Sequence, residues 1–439
     1  MHRKNIGIFA LLAVIVLVAT MMEGNFVAAA NLKTLIRDTS LYGLISIGVA
    51  AVIITGGIDL SIGSLIALCG VMMVSMINVH YVRDQQEHEV VALTRAEGDQ
   101  TLSERFPAAA TLIELRPPPL GIRGGDRLVY EGVLGETTVY LLGAEDESQG
   151  RFATSDPARR LTEKLSVRVD RIAYNSPFLV VAAVLLMGAL IGALHGVLIT
   201  RAHLQPFVVT LCGLLIYRGL ARVWTGDDQV GLGSALAGFK TLATGAAFEF
   251  PLPLVARLSG TSESWTQWTW IEFPVTGVLL LLVAAAAWFF LQHMVAGRHL
   301  LAVGENEQAA RFSGVRTDRL IILAYVISGT LAALAGVLFL LEWNSVQPGS
   351  SGNFYELYAI AAAVLGGCSL RGGRGAVFGV IAGAAVMRCL YKAIVVLGIE
   401  QQWEMVIIGA ALLASVLFDE VMGRWRMWKL RRGSGAVSN

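Results

Sequence analysis

The sequence predicts an all-α polytopic membrane protein of about ten transmembrane helices, some broken at glycine-rich segments, with a small β-rich extracytoplasmic insert. Three observations lead there. Hydrophobic residues make up 55% of the 439-residue chain and charged residues 15%, with a mean hydropathy of +0.62, where a soluble protein carries about a quarter charged. The charge is crowded: residues 80–176 hold 12 Lys/Arg and 16 Asp/Glu of the 34 and 33 in the whole chain, which leaves the remainder too apolar for a wet surface all round. Around that stretch lie ten apolar segments, each near the about 20 residues that cross a bilayer.

This composition excludes a disordered chain, a coiled coil, a disulfide scaffold and a nucleic-acid binder. The net charge of +1 divides into an acidic insert and a mildly basic remainder. Cys69, Cys212, Cys368 and Cys389 all lie in apolar stretches without CxxC or histidine spacing, and read as small buried hydrophobes.

In chain order the spans are 6–22, 41–57, 62–79, 177–199, 206–224, 273–291, 320–341, 356–369, 375–396 and 404–420. Ten of them place all the basic connections on one face: His2-Arg3-Lys4, Arg201, Arg298 through Arg319, Arg371 and Arg374, and the tail from Arg424 to Arg432. The positive-inside rule makes that face cytoplasmic, with both termini inside and with residues 80–176 and 225–270 outside. The expected domains are membrane residues 1–79, the insert 80–176, membrane residues 177–423 and a basic cytoplasmic tail 424–439. The start of the chain has a second reading: His2-Arg3-Lys4, an apolar run and Ala28-Ala29-Ala30 also fit a cleaved signal peptide.

In the insert, Thr111–Leu115, Arg127–Glu131 and Thr137–Leu142 read as strands, separated by turn signals at Pro117-Pro118-Pro119, Gly124-Gly125 and Gly132. It carries no nucleophile motif, metal spacing or phosphate loop, so a solvated structural or docking module is its plain role.

Two glycine-rich segments interrupt spans at matching places. Thr55-Gly56-Gly57-Ile58-Asp59-Leu60-Ser61-Ile62-Gly63 and Gly366-Gly367-Cys368-Ser369-Leu370-Arg371-Gly372-Gly373 share Gly-Gly, then Leu, then Gly at equal spacing. Broken helices at corresponding points of two halves are the pattern of a transporter core, with Gly56, Gly57, Asp59, Ser61, Gly63, Gly366, Gly367, Ser369 and Gly373 as candidate pathway residues. Tight helix packing through glycine is the alternative, and Asp59 also reads as a cap on the helix that follows. A third segment, 297–317, is polar and faces the cytoplasm. Its residues Glu305 to Arg311 pattern as two helical turns, with Ala309, Ala310 and Phe312 available to bury and Gly314 as the stop. Such a loop suits docking into a partner's groove.

These three segments closely resemble the permease subunits of bacterial ATP-binding-cassette importers for monosaccharides, the ribose permease type. The family's TSGIDLSVGS appears as Thr55 to Ser64, its GxNxxAARxSGI as Gly304-Glu305-Asn306-Glu307-Gln308-Ala309-Ala310-Arg311-Phe312-Ser313-Gly314-Val315, and its YELxAIAAxVLGGxSLxGGxG as Tyr355 through Gly375. The likeness covers nearly everything outside 80–176. It includes Gly24-Asn25-Phe26 and Asn31-Leu32 after the first span, which speaks against signal cleavage.

The resemblance implies an inner-membrane subunit without cofactor or catalytic residues. It would translocate a simple sugar by alternating access, pair with a second permease subunit and take sugar from an extracytoplasmic binding protein. Cytoplasmic ATPase subunits would be coupled through Gly304, Glu305, Asn306, Ala309, Ala310, Arg311 and Gly314. The chain's lack of a G-x-x-x-x-G-K-[ST] loop agrees that ATP is bound elsewhere. Nucleosides and branched-chain amino acids are the other substrates such permeases carry. A membrane enzyme or a secondary transporter are rival classes, the first opposed by the absence of any Ser/His/Asp, Cys/His or HExxH arrangement. The chain departs from the pattern in its insert, in Arg388 and Lys392 where uncharged residues are usual, and in Glu404 and Ile408. Snorkelling, a pair with Glu400 or Glu404, or a polar pathway wall are the readings of Arg388 and Lys392. Arg218 and Arg222 read as anchors, Trp265, Trp268 and Trp270 as an interfacial belt, and His195 and His203 as single hydrogen-bonded residues.

Overall fold

The computed structural model describes residues 2–95, 106, 111–132, 135–154, 162, 164–233, 235–251, 270–410 and 413. Two compact units divide the chain, one of residues 1–71, 182–229 and 240–439, the other of residues 72–181 and 230–239. The basic tail, Trp265 and Trp268 lie outside the described residues, as does most of the expected span 404–420, of which residues 404–410 are helical.

The smaller unit is built on six strands: β1 (His80–Arg95), β2 (Thr111–Arg116), β3 (Arg127–Gly132), β4 (Gly135–Asp146), β5 (Arg151–Thr154) and β6 (Ser166–Ala173). They close into a barrel of order β1-β2-β5-β4-β3-β6, which leaves no free sheet edge. Alternation fills the interior: Val90, Ile113, Leu115, Leu128, Val139, Leu141, Phe152, Val167 and Val169 form its core. Cross-strand ion pairs lace the outside. Asp170 on β6 receives Arg83 of β1 (3.2 Å) and Arg127 of β3 (3.1 Å), the two residues opposite it in register. The three strand-like runs read from the sequence fall in β2, β3 and β4, whereas β1, opening with the polar run His80–Glu89, carries no such signal.

The larger unit is helical. Its helices are α1 (His2–Met22), α2 (Ala29–Ile54), the start of α3 (Ile62–Ile77), most of α4 (Pro177–Arg201), α5 (Pro206–Thr225), the end of α6 (Ala237–Thr244), α7 (Val275–His293), α8 (Val295–Glu305), α9 (Glu307–Phe312), α10 (Thr317–Trp343), α11 (Tyr355–Leu365) and α12 (Val377–Val396). At its centre stands α2, buried on all sides from Ser40 to Ala50 and packed by α7, α10, α11 and α12. By contrast α5 and α7 expose Leu215, Ile216, Val223, Leu281, Leu282 and Phe289, the face a helix turns to hydrocarbon.

Six described helices, α2, α4, α5, α7, α10 and α12, are long and apolar enough to cross a bilayer, against the ten segments expected. Three shorter apolar helices, Leu11–Met22, Ile62–Ile77 and Tyr355–Leu365, occupy further expected spans. The differences have local causes. The span expected at 41–57 begins at Ala29, because charges that look prohibitive in the sequence are paired: Lys33 with Glu272, Arg37 with Glu342 (2.8 Å) and Asp38 with Arg388 (2.7 Å). The span expected at 356–369 stops at Leu365, where Gly366 caps the helix and Gly367 turns left-handed (φ +91°).

Close helix contact depends on a stripe of small residues. A Cβ added at Gly188, Gly192 or Gly196 of α4 would meet the α10 backbone at Gly329, Tyr325 or Ile322, so the two helices touch main chain to main chain. Likewise Gly379 and Gly383 of α12 face the carbonyls of Gly366 and Ala362.

Candidate functional site

At the end of α2 the chain turns through Gly56 (φ +84°), a left-handed conformation that favours glycine. It then runs without regular secondary structure from Gly57 to Ser61 before α3 begins. Asp59 is 2% exposed and fully engaged. Its Oδ1 accepts from the Ser61 amide (3.1 Å) and hydroxyl (2.7 Å), while Oδ2 accepts from Ser328 Oγ on α10 (2.8 Å). The first pair of bonds is a local turn leading into α3; the third ties the break to another helix. Thr210 Oγ1 of α5 lies 3.0 Å from the Pro206 carbonyl of its own helix and 3.1 Å from the Ile58 carbonyl, so its one proton serves both the helix and the non-helical stretch after α2. Tyr325 covers Gly57 so closely that a Cβ there would lie 2.7 Å from its hydroxyl. Behind it, His195 Nε2 and the Tyr217 hydroxyl are hydrogen-bonded (2.8 Å). Gly63 faces the Gly352 carbonyl and the Glu356 carboxylate with no room for a side chain.

The second glycine-rich segment folds as a tight loop. Ser369 N donates to Arg374 O (3.1 Å), Gly372 N to Ser369 O (2.8 Å), and Gly372 and Gly373 both have positive φ. Gly373 N then donates to Ile54 O (2.9 Å), the last residue of α2, so the two interrupted regions are hydrogen-bonded to one another.

The third segment is α8 and α9 joined at Asn306, whose Oδ1 caps α9 by accepting from Ala309 N (2.9 Å). Arg311 Nη2 donates to Glu307 (2.9 Å), Thr317 Oγ1 (3.0 Å) and Asp318 (2.9 Å), binding α9 to the first turn of α10. Gly314 reverses the chain with φ +84° and open space around it. Ala310 is buried, as its spacing suggests, but Phe312 is 91% exposed: a six-residue helix offers one inward face, and Ala310 occupies it.

All three segments meet at Gly304. A Cβ on Gly304 would strike the Ile54 carbonyl and the Gly373 amide, and Gly372 and Gly373 lie against the Gly304–Glu305 backbone. Segments some 250 and 70 residues apart in the chain thus share one junction, with Asp59 and Ser61 a short non-helical stretch beyond it. Sequence reading misses Ser328, Tyr325 and Thr210, ordinary polar residues in apolar helices. It treats His195 as a single hydrogen-bonded residue, and Tyr217 supplies that bond.

Arg388 pairs with neither Glu400 nor Glu404. It reaches Asp38 and lies over the rings of Tyr42 (4.6 Å) and Tyr391 (4.4 Å), while Glu404 accepts from the Tyr358 hydroxyl (3.3 Å). A crevice of about 380 Å³ between α2, α7, α10 and α12 is lined by apolar residues such as Ile47, Phe290, Ile327 and Val380, and gives a polar solute almost nothing to bond. Among the described residues no cluster of His, Cys, Asp or Glu is arranged to hold a metal.

Apolar helices around interrupted, glycine-lined segments with a buried polar network define an integral membrane transport protein. The chain belongs to the family described as branched-chain amino acid transport system / permease component, whose pattern matches residues 31–416. It is 28% identical to the ribose import permease protein of Escherichia coli (strain K12), over 95% of this chain and 94% of that protein. It is 26% identical to the ribose import permease protein of Bacillus subtilis (strain 168), over 95% and 92%. The autoinducer 2 import system permease protein of Yersinia pseudotuberculosis is 35% identical over 56% of this chain and 64% of its own length. No solved structure matches the chain.

Proposed function

We propose that this protein is the membrane-spanning subunit of an ATP-binding-cassette importer for a simple sugar, working by alternating access. The observation that carries the proposal is the junction at Gly304, where the α8–α9 loop sits directly on both interrupted segments. A partner that moves this loop moves the broken helices with it. Relatives that import ribose, autoinducer 2 and D-allose favour a small polyhydroxylated substrate over the amino acids of the family's description. ATP is hydrolysed on a cytoplasmic ATPase subunit that docks on Gly304 to Gly314; an extracytoplasmic binding protein delivers the sugar, and a second permease subunit completes the path. Gly56, Gly57, Asp59, Ser61, Gly63, Gly366, Gly367, Ser369 and Gly373 line or frame that path.

The ten-span topology, with both termini in the cytoplasm and the barrel outside, belongs to the same proposal. It is supported by the shorter helices at the interrupted spans and by the common side of the basic loops. The test is reconstitution: the chain with the ATPase and binding protein of its own cell in proteoliposomes, assayed for ATP-dependent uptake of ribose, allose and leucine. Sugar uptake that requires all three components is the expected result. Uptake driven without the ATPase, or of leucine alone, contradicts it.

A further inference from the structure

We infer that α10 is the lever between the docking loop and the broken helix, and that Ser328 is the positioning residue that transmits its movement to Asp59. The inference rests on the reading of the chain as an importer permease. It adds to the junction at Gly304 a second connection, one helix and one hydrogen bond, that reaches Asp59 itself.

At its cytoplasmic end, by the proposed topology, α10 is fastened to α9. Arg311 donates to Thr317 and Asp318, the first two residues of the helix, and the turn between is closed by Gly314 N to Arg311 O (3.0 Å) and Val315 N to Ala310 O (3.1 Å). A push on α9 therefore displaces the N-terminus of α10. The helix then runs 27 residues without a proline or a break, so displacement at one end is displacement along its length.

Eleven residues on, about 16 Å along the axis, Ser328 holds Asp59 Oδ2 at 2.8 Å, with both residues buried. One turn before it, Tyr325 covers Gly57, and its hydroxyl has no hydrogen-bond partner among the described residues. The same helix thus touches the interrupted segment at two points. The other oxygen of Asp59 is committed to Ser61 at the start of α3, so the carboxylate bridges α10 to α3. On a neighbouring face α10 packs main chain to main chain against α4 at Gly188, Gly192 and Gly329.

Two contacts near the break then have different tasks. The Gly304 junction carries the loop's movement to the end of α2 and to the second glycine-rich segment; the Ser328–Asp59 bond carries that of α10 to Asp59 and the start of α3. Removing the hydroxyl should leave ATPase docking intact and weaken its link to the pathway.

The experiment uses the assembled transporter in proteoliposomes with Ser328→Ala, Asp318→Ala and the double variant. It reads co-purified ATPase, basal hydrolysis, stimulation by sugar-loaded binding protein, and uptake. Ser328→Ala is expected to keep wild-type ATPase recovery and basal hydrolysis while stimulation and uptake fall about tenfold. Asp318 is half-exposed and outside the buried network, so its variant tests the lever even where Ser328→Ala folds poorly. It should show the same separation of basal from stimulated activity. The two positions lie ten residues, about 15 Å, apart, a separation at which independent losses multiply. On one lever the double variant is no worse than the more severe single variant. Wild-type stimulation and uptake in either Ser328→Ala or Asp318→Ala, or multiplied losses in the double variant, overturn the lever. Failure of the unmodified chain to retain any ATPase overturns instead the importer reading beneath it.

Discussion

Arg388 of α12 donates from Nη2 to Asp38 Oδ2 of α2 at 2.7 Å, although the two residues are 350 positions apart and both sit within apolar helices. The pair is mostly buried, with side-chain exposures of 13% and 22%, and Tyr42 and Tyr391 flank the guanidinium. A charge left alone at such a position is expensive, which makes removal of one partner more costly than the pair is beneficial. Arg388→Ala should destabilise the chain by about 3 kcal/mol, read as thermal unfolding in detergent. Asp38→Arg with Arg388→Asp should recover part of that loss; no recovery would mean the pair is incidental.

The glycines of the junction separate two physical causes. At Gly304 an added methyl meets backbone atoms of Ile54 and Gly373, which are near-fixed partners in one hydrogen-bonded arrangement, whereas at Gly314 it meets nothing and only the left-handed φ is at stake. Gly304→Ala is expected to cost about 3 kcal/mol, the upper end of overpacking, and Gly314→Ala about 1 kcal/mol. Equal effects on thermal stability would contradict the close approach.

The barrel gives a pH dependence with a definite sign. Hydrogen bonds from Arg168 and then Ser166 hold the Glu87 carboxyl below its ordinary range, and that of Ser148 does the same for Asp146. Because the folded values are depressed, the stabilisation is present above the unfolded values, near about 4, and is lost as pH falls through the folded ones. Hydrogen-exchange protection of β1–β6 in the full chain, corrected for intrinsic rates, should be flat from about pH 7 to 5 and fall below about 4. Glu87→Gln should soften that fall, a small effect since the group is exposed; an unchanged profile would remove Glu87 from the explanation.

How far the sequence could be read depended on whether a signal was local. Gly-Gly breaks at 56–57 and 366–367 act within a few residues, and both are where their residue types suggest. Ser328 could not be read that way, because its partner Asp59 is 269 residues away and a serine inside an apolar helix looks like filler. The early start of α2 was hidden for a related reason: Arg37 and Asp38 oppose a span until Glu342 and Arg388 are known to face them. In the barrel, β1 is long and bulged, between Arg83 and Glu87 and between Val90 and Ala92, so no clean alternation marks it.

Topology is tested at Gln149, in the exposed turn between β4 and β5. Gln149→Cys should react with a membrane-impermeant maleimide on intact spheroplasts. Labelling that appears only after lysis would put the barrel in the cytoplasm and end the ten-span arrangement.

The central proposal is that α9 receives an ATPase subunit, and Phe312 is its cleanest probe because the ring is 91% exposed and a substitution there leaves the chain's own contacts alone. Exposed aromatics of this kind anchor interfaces. The measurement is recovery of the ATPase with affinity-purified Phe312→Asp chain, beside Arg311→Glu, which also breaks the tie to α10. Normal membrane insertion with at least a tenfold loss of ATPase in Phe312→Asp, and a matching loss of uptake, is the expected result. Wild-type ATPase recovery and uptake in both variants would make the α8–α9 loop a mere connector and contradict the proposal.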